Sequence, residues 1–259
     1  MRLKRLSVQN FRIHRSCVVE FTGPVTLIIG SNGSGKTSLL EAIYVALRGR
    51  SFKGTDDTIR RSGDEWYRID LETDENTRVV KHRLQGRKTY EIDARTYYRL
   101  VDREKYPIVL FEPDDLRIIN GSPSRRRTYL DMCISQYNPH YNSTLRRYER
   151  ALLQRNKLLK SPSHSRDEVF AWNVSLSNYG AEIIAARQEL ARYIDAQITD
   201  VYQTVAPTKD TISVQYSHHT LTTPQHLLTE LEQAYERDKV TGSTSVGPHR
   251  HDLLLFFNN

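Results

Sequence analysis

The sequence predicts an α/β fold built around a phosphate-binding loop, followed by a mainly helical second lobe. Three observations predict it. Residues Gly30, Ser31, Asn32, Gly33, Ser34, Gly35, Lys36 and Thr37 fit the pattern G-x-x-x-x-G-K-[ST]. The β-branched, apolar run Val25-Thr26-Leu27-Ile28-Ile29 leads into the loop as a buried strand would, and residues 38–47 leave it with helical spacing before Gly49. From residue 121 onward, short alternating segments give way to long helical periods.

The spelling of the loop follows from its chemistry. Glycines let the backbone curl until successive N–H groups face one anion. Lys36 is placed to reach the β- and γ-phosphates, and the Thr37 hydroxyl is placed to hold Mg²⁺. The expected nucleotide contacts are therefore residues 30–37, with Thr37 as metal ligand and ATP and Mg²⁺ as cofactors.

The 259 residues suffice for one large domain or two modest ones. Lys plus Arg number 38 against 31 Asp plus Glu, and the net charge of +7 favours a polyanionic partner. The first thirty residues carry no signal-peptide core, and no apolar run approaches membrane-spanning length. Cys17 and Cys133 offer neither a disulfide framework nor zinc spacing. The expectation is a soluble, cytoplasmic protein with no membrane partner.

The elements follow in order. Residues 3–8 alternate, and 17–21 and 25–29 follow across short turns, the second marked by Gly23-Pro24. Arg12, in the turn Asn10-Phe11-Arg12, is either a nucleotide contact or a solvated turn residue. Residues 50–65 read as a polar loop. Residues 66–71, 77–84 and 88–92 alternate as antiparallel strands. The apolar run 106–111 ends in Glu112-Pro113-Asp114-Asp115. An acid after four hydrophobics resembles a metal-holding strand end, but Pro113 breaks the strand beside Glu112.

Gly121-Ser122-Pro123 is a helix entry, with Pro123 at the first helical position. Arg125, Arg126 and Arg127 then oppose the helix dipole, which points either to an anionic partner or to salt bridges elsewhere. A second helix runs from Asn138-Pro139 to about residue 160. Tyr141, Leu145, Tyr148, Leu152 and Leu159 share one stripe of it. Arg146, Arg150, Lys157 and Lys160 share another, read as a solvated face or as a phosphate-backbone track. The longest helix carries apolar residues from Val169 to Val205 at spacings of three and four, and stops before Pro207. A strand at 211–216, a short helix at 224–237 and a returning β segment at 247–257 complete the chain.

Several of these segments resemble the RecF family of bacterial recombination-mediator ATPases. They are Leu6 to Arg12, the phosphate loop, Pro113-Asp114, Ile118-Ile119, Gly121-Ser122-Pro123, Arg126-Arg127, Tyr129-Leu130-Asp131, Gln154-Arg155-Asn156 and Gly247-Pro248-His249-Arg250. His251 stands where the family often has an acid. The resemblance implies an ABC-type P-loop NTPase head related to SMC proteins, incomplete here: an ATPase lobe over 1–118, a helical lobe over 119–242, and the start of a return at 243–259. It implies ATP-dependent homodimers on duplex DNA and gapped junctions, and partnership with RecR, RecO and RecA-type proteins in repair and SOS induction. Candidate DNA contacts are Arg125, Arg126, Arg127, Arg146, Arg150 and Lys157, and Arg12 joins the nucleotide set. The family's signature motif and Walker B acids find no counterpart in the sequence, so weakened nucleotide binding and little hydrolysis are expected, and no catalytic residue is assigned. Two other readings stay open: a P-loop phosphotransferase using Glu112 or Asp114, and a non-enzymatic DNA-binding remnant.

Overall fold

The computed structural model describes residues 1–161, 163, 165–218 and 222–258. The chain divides into two compact units, Met1–Leu110 and Phe111–Asn259.

The first unit holds strands β1 (Leu3–Phe11), β2 (His14–Glu20), β3 (Trp66–Thr73), β4 (Thr77–Arg83), β5 (Thr89–Ile92) and β6 (Arg95–Tyr97), with helices α1 (Lys36–Arg48) and α2 (Asp56–Ile59). The strands form one antiparallel sheet in the order β2-β1-β3-β4-β5-β6. Period-two patterning decides which face is covered. Leu6, Val8, Ile69, Leu71 and Val80 point inward and form one core with Leu39, Ala42, Val45 and Ala46 of α1. Phe11 closes that core edge-on against Tyr67, with ring centroids 5.6 Å apart.

Two expected strands do not form. Residues 25–29 and 106–111 enter no ladder with the described residues, and Val25, Leu27, Ile29, Val109 and Phe111 are all exposed. A strand requires a ladder of backbone hydrogen bonds, and among the described residues neither segment is part of one. From these segments Ile28, Tyr106 and Ile108 pack on the core. The reading of 50–65 as loop misses α2, a single turn closed by a reciprocal capping box between Thr55 and Thr58.

The second unit is mainly helical: α3 (Arg117–Asn120), α4 (Pro123–Tyr137), α5 (Pro139–Leu159), α6 (Arg166–Val205), α7 (Pro224–Gln233) and α8 (Tyr235–Thr241). A hairpin-like pair joins β7 (Ile212–Tyr216) to β8 (Leu253–Phe257). The end of the chain, read from sequence as returning to the first lobe, is thus paired with β7 inside this unit. The 40-residue α6 begins with a capping box between Ser165 and Glu168. Its buried stripe meets α5, α7 and β7 around Leu176, Ile183 and Ile184. At Gly180 a Cβ would lie 2.7 Å from Leu227, so glycine there lets α6 and α7 approach closely. Pro162 and His164, in the segment read from sequence as a loop, and residues 219–221 and 259 lie outside the described residues.

Polar residues within this unit are satisfied by one another. Arg187 grips both carboxylate oxygens of Asp131 at 2.9 Å and donates to the Pro248 carbonyl at 2.7 Å. His249 Nε2 lies 3.0 Å from the Thr244 carbonyl, so that nitrogen carries the proton and Nδ1 accepts from the Tyr148 hydroxyl at 2.7 Å. This is the neutral imidazole, and burial pushes its pKa down to about 4.

The unfolded chain protonates this imidazole near pH 6.5, the folded chain only near 4. Between these values the unfolded state binds more protons, so stability falls as pH drops, by about 1.4 kcal/mol per pH unit. Thermal melts should show a clear loss between pH 7 and pH 5. His249→Gln, which keeps a donor and an acceptor, should remove about half of the loss over this window, the rest coming from His251, whose pKa burial pushes down to about 3. Equal losses in both proteins would place the acid sensitivity elsewhere.

Candidate nucleotide-binding loop and basic helix face

The phosphate loop and α1 form in the first unit as the sequence requires. Gly33 and Gly35 hold φ of 81° and 88°, a left-handed backbone that favours glycine. A Cβ at Gly35 would lie 2.3 Å from His14 Nε2, which itself sits 3.2 Å from the Gly35 carbonyl. No side chain caps the N-terminus of α1. Among the described residues, the backbone N–H groups of Gly33, Gly35, Lys36 and Thr37 find no partner. Orphan donors at a helix N-terminus, on the positive end of the dipole, constitute a site for an anion. The Lys36 ammonium folds over the loop and donates to the carbonyls of Gly30 at 2.9 Å and Ser31 at 2.7 Å. Ser31, Asn32, Gly33, Ser34 and Thr37 are exposed along this loop. The residues present fit a polyphosphate: open N–H groups, one ammonium, and a hydroxyl on Thr37 suited to a divalent cation.

Arg12 sits beside this helix, with its guanidinium engaged. Its Nε and Nη2 donate to the two carboxylate oxygens of Glu41 at 2.8 and 2.7 Å, and Nη1 donates to the Thr58 carbonyl at 3.0 Å. Glu41 is 1% exposed and also accepts from the Ser51 hydroxyl. Glu41 holds the Arg12 guanidinium above its ordinary pKa. Sequence reasoning missed Glu41 and His14. The signal for Glu41 was a lone acid among Leu39, Leu40, Ala42 and Ile43. His14 carried none, because its role depends on the turn that brings it to Gly35.

The arginines at the start of α4 are tied into the second unit. Arg125 pairs with Asp114 at 2.7 Å and holds that carboxyl below its usual range. Arg126 is bidentate to Asp252, both bonds at 2.8 Å, and donates to the carbonyls of Ile118, Ile119 and Gly121. Arg127 donates to the His251 carbonyl at 2.8 Å. Of the two purposes the sequence left open, Arg125 and Arg126 make salt bridges within the fold, and Arg127 makes a hydrogen bond to a backbone carbonyl. The α5 row differs. Arg146, Arg150 and Lys157 are exposed and make no ion pair with a described residue. The opposite stripe, including Tyr141, Tyr148 and Leu159, is buried.

A phosphate loop on an uncapped helix beside an antiparallel sheet defines a P-loop nucleotide-binding protein, and the AAA domain model matches residues 5–203. The chain is 30% identical to the DNA replication and repair protein RecF of Clostridium beijerinckii, over all of this chain and 73% of that protein. It is 32% identical to the protein of the same name from Chlamydia caviae, with the same coverage. A solved structure of the recombination mediator RecF with ATPrS superposes with a TM-score of 0.85 at 27% identity, over 99% of this chain and 73% of that one. A solved SMC head, 13% identical with a TM-score of 0.52, covers all of this chain and 68% of its own and shares the fold. This chain belongs to the RecF family of DNA replication and repair proteins.

Among the described residues, no helix is long and apolar enough to cross a membrane.

Proposed function

We propose that this chain is an ATP-binding repair protein that holds DNA as an ATP-dependent dimer and supports recombinase loading at gaps. One observation carries the nucleotide half: an uncapped helix N-terminus with orphan N–H groups, and the Lys36 ammonium seated on the same loop. Residues 30–37 hold the phosphates, Thr37 supplies the hydroxyl for Mg²⁺, and Arg12, oriented by Glu41, flanks the bound nucleotide. When bound, the cation would neutralise the β- and γ-oxygens. Partnership with RecO and RecR follows from the family and from its solved members, described as acting in the RecFOR pathway.

The row Arg146, Arg150 and Lys157, exposed and without an ion pair among the described residues, supports a duplex-backbone contact. Arg126 and Arg127 then act by holding the start of α4, and Arg125 by anchoring Asp114. Replacing the three α5 cations by glutamate should weaken duplex binding and lower the slope of log affinity against log salt by about 3. Fluorescence anisotropy across a salt series checks this. An unchanged slope would leave the row as a solvated face.

A further inference from the structure

The sheet of the first unit has a second face, turned away from α1. Its outward positions are set by register: Gln9 lies opposite Ser16 and Arg68, and Trp66 lies opposite Arg83. Tyr67, Ile69 and Leu71 of β3 are fully buried on the other face, whereas Trp66 is 38% exposed. Gln9, Asn10, Arg15, Ser16, Asp64 and Trp66 line a concavity of about 560 Å³ at this end of the sheet.

Three features single it out. The indole is a large aromatic surface left in water where the strand pattern calls only for a polar residue. Asn10 is 9% exposed, at φ 52°, and its carboxamide makes no hydrogen bond with a described residue. Arg15 lines the concavity, Arg83 is the cross-strand neighbour of Trp66, and Arg87 follows it in the next turn. All three are exposed and without an ion pair among the described residues. The nearby acids are mostly engaged: Asp64 by Arg61 at 3.0 Å, Asp70 by Arg68 at 2.6 Å and Glu91 by Lys81 at 3.0 Å. Glu65 is the neighbouring exposed acid, one residue before Trp66 and so on the opposite side of the strand.

An aromatic plane, one buried and one half-buried amide, and guanidiniums without an ion pair among the described residues together match a nucleotide strand whose bases are unstacked. A duplex keeps its bases inside the helix and offers nothing to an indole. A neutral aromatic metabolite would leave the arginines without counter-charge. We infer that this concavity binds single-stranded DNA: one base stacks on Trp66, Asn10 and Gln9 meet its edge, and Arg15 and Arg83 meet the flanking phosphates. The inference rests on the DNA-binding reading above and adds the residues that would meet an unpaired strand.

The test uses an oligothymidylate of about 15 nucleotides. The chain has two tryptophans, Trp66 and Trp172, so their fluorescence can be separated. The oligonucleotide should quench the emission of Trp172→Phe and leave that of Trp66→Phe unchanged. Trp66→Ala should weaken oligothymidylate binding by anisotropy roughly 5- to 150-fold, the range expected for loss of one stacked base. Duplex and ATP-analogue binding should be kept. Arg15→Glu, at an exposed edge-strand position, should weaken it as well and stands in if Trp66→Ala does not fold. Undiminished oligothymidylate binding in both variants overturns the inference while leaving the duplex reading intact. Loss of ATP-analogue binding with oligothymidylate binding kept would make the concavity part of the nucleotide site and also overturns it. Failure of the wild-type protein to bind either DNA removes both readings.

Discussion

Arg155→Ala is expected to destabilise the second unit by about 3–5 kcal/mol, a large share of what holds a typical domain folded. Arg155 is fully buried on α5, as are Asn173 on α6 and Asp238 on α8. Its guanidinium donates to Asn173 Oδ1 at 2.5 Å, Asp238 Oδ2 at 2.8 Å and Thr244 Oγ1 at 2.9 Å. Asp238 in turn accepts from the Ser245 backbone N–H at 3.0 Å. One guanidinium thus ties together three helices, α5, α6 and α8, and the loop that begins at Gly242. Alanine removes the cation and leaves the Asp238 carboxylate buried without its counter-charge, which costs more than the lost packing. Asn156 adds to the same knot by accepting from Thr244 N–H and its hydroxyl, at 2.8 and 2.7 Å. Chemical denaturation measures the effect: a lower midpoint at unchanged slope is expected. A loss below about 1 kcal/mol would mean that Asp238 finds other compensation on relaxation.

Lys36→Ala is expected to weaken ATP binding by about 2–5 kcal/mol, or roughly 30- to 5000-fold. The ammonium is seated over the loop, held by the Gly30 and Ser31 carbonyls. In a nucleotide complex those weak contacts are exchanged for charge-assisted bonds to phosphate oxygens. Alanine leaves the N–H cradle in place, so residual affinity should persist and the fold should be unaffected. Titration with a fluorescent ATP analogue, alongside thermal melts of both proteins, reads the two quantities separately. Equal affinity in both proteins would move the nucleotide away from this loop.

The loop was legible because its chemistry is local. Glycines that permit a left-handed backbone, a lysine and a hydroxyl lie within eight consecutive residues. The helices of the second unit were legible because their apolar period is long and unbroken, as in α6. What was not legible depends on partners distant in sequence. Arg126 reads as a cation in an awkward place until the fold brings Asp252 to it, 126 residues later. Glu41 reads as a helix-surface acid until Arg12 and Ser51 surround it. The reverse also holds. Residues 25–29 and 106–111 have the composition of buried strands, yet composition supplies only the demand for a neighbour. Pairing requires one in the right place, so Leu27 and Val109 are left in solvent.

Nucleotide at this loop is expected to control the grip on DNA. The most direct measurement is duplex DNA affinity at one fixed salt concentration, without nucleotide and with a non-hydrolysable ATP analogue and Mg²⁺, for the wild type and Lys36→Ala. The analogue should tighten binding in the wild type and do nothing in the variant. Wild-type affinity indifferent to the analogue, or an equal response in Lys36→Ala, would contradict it.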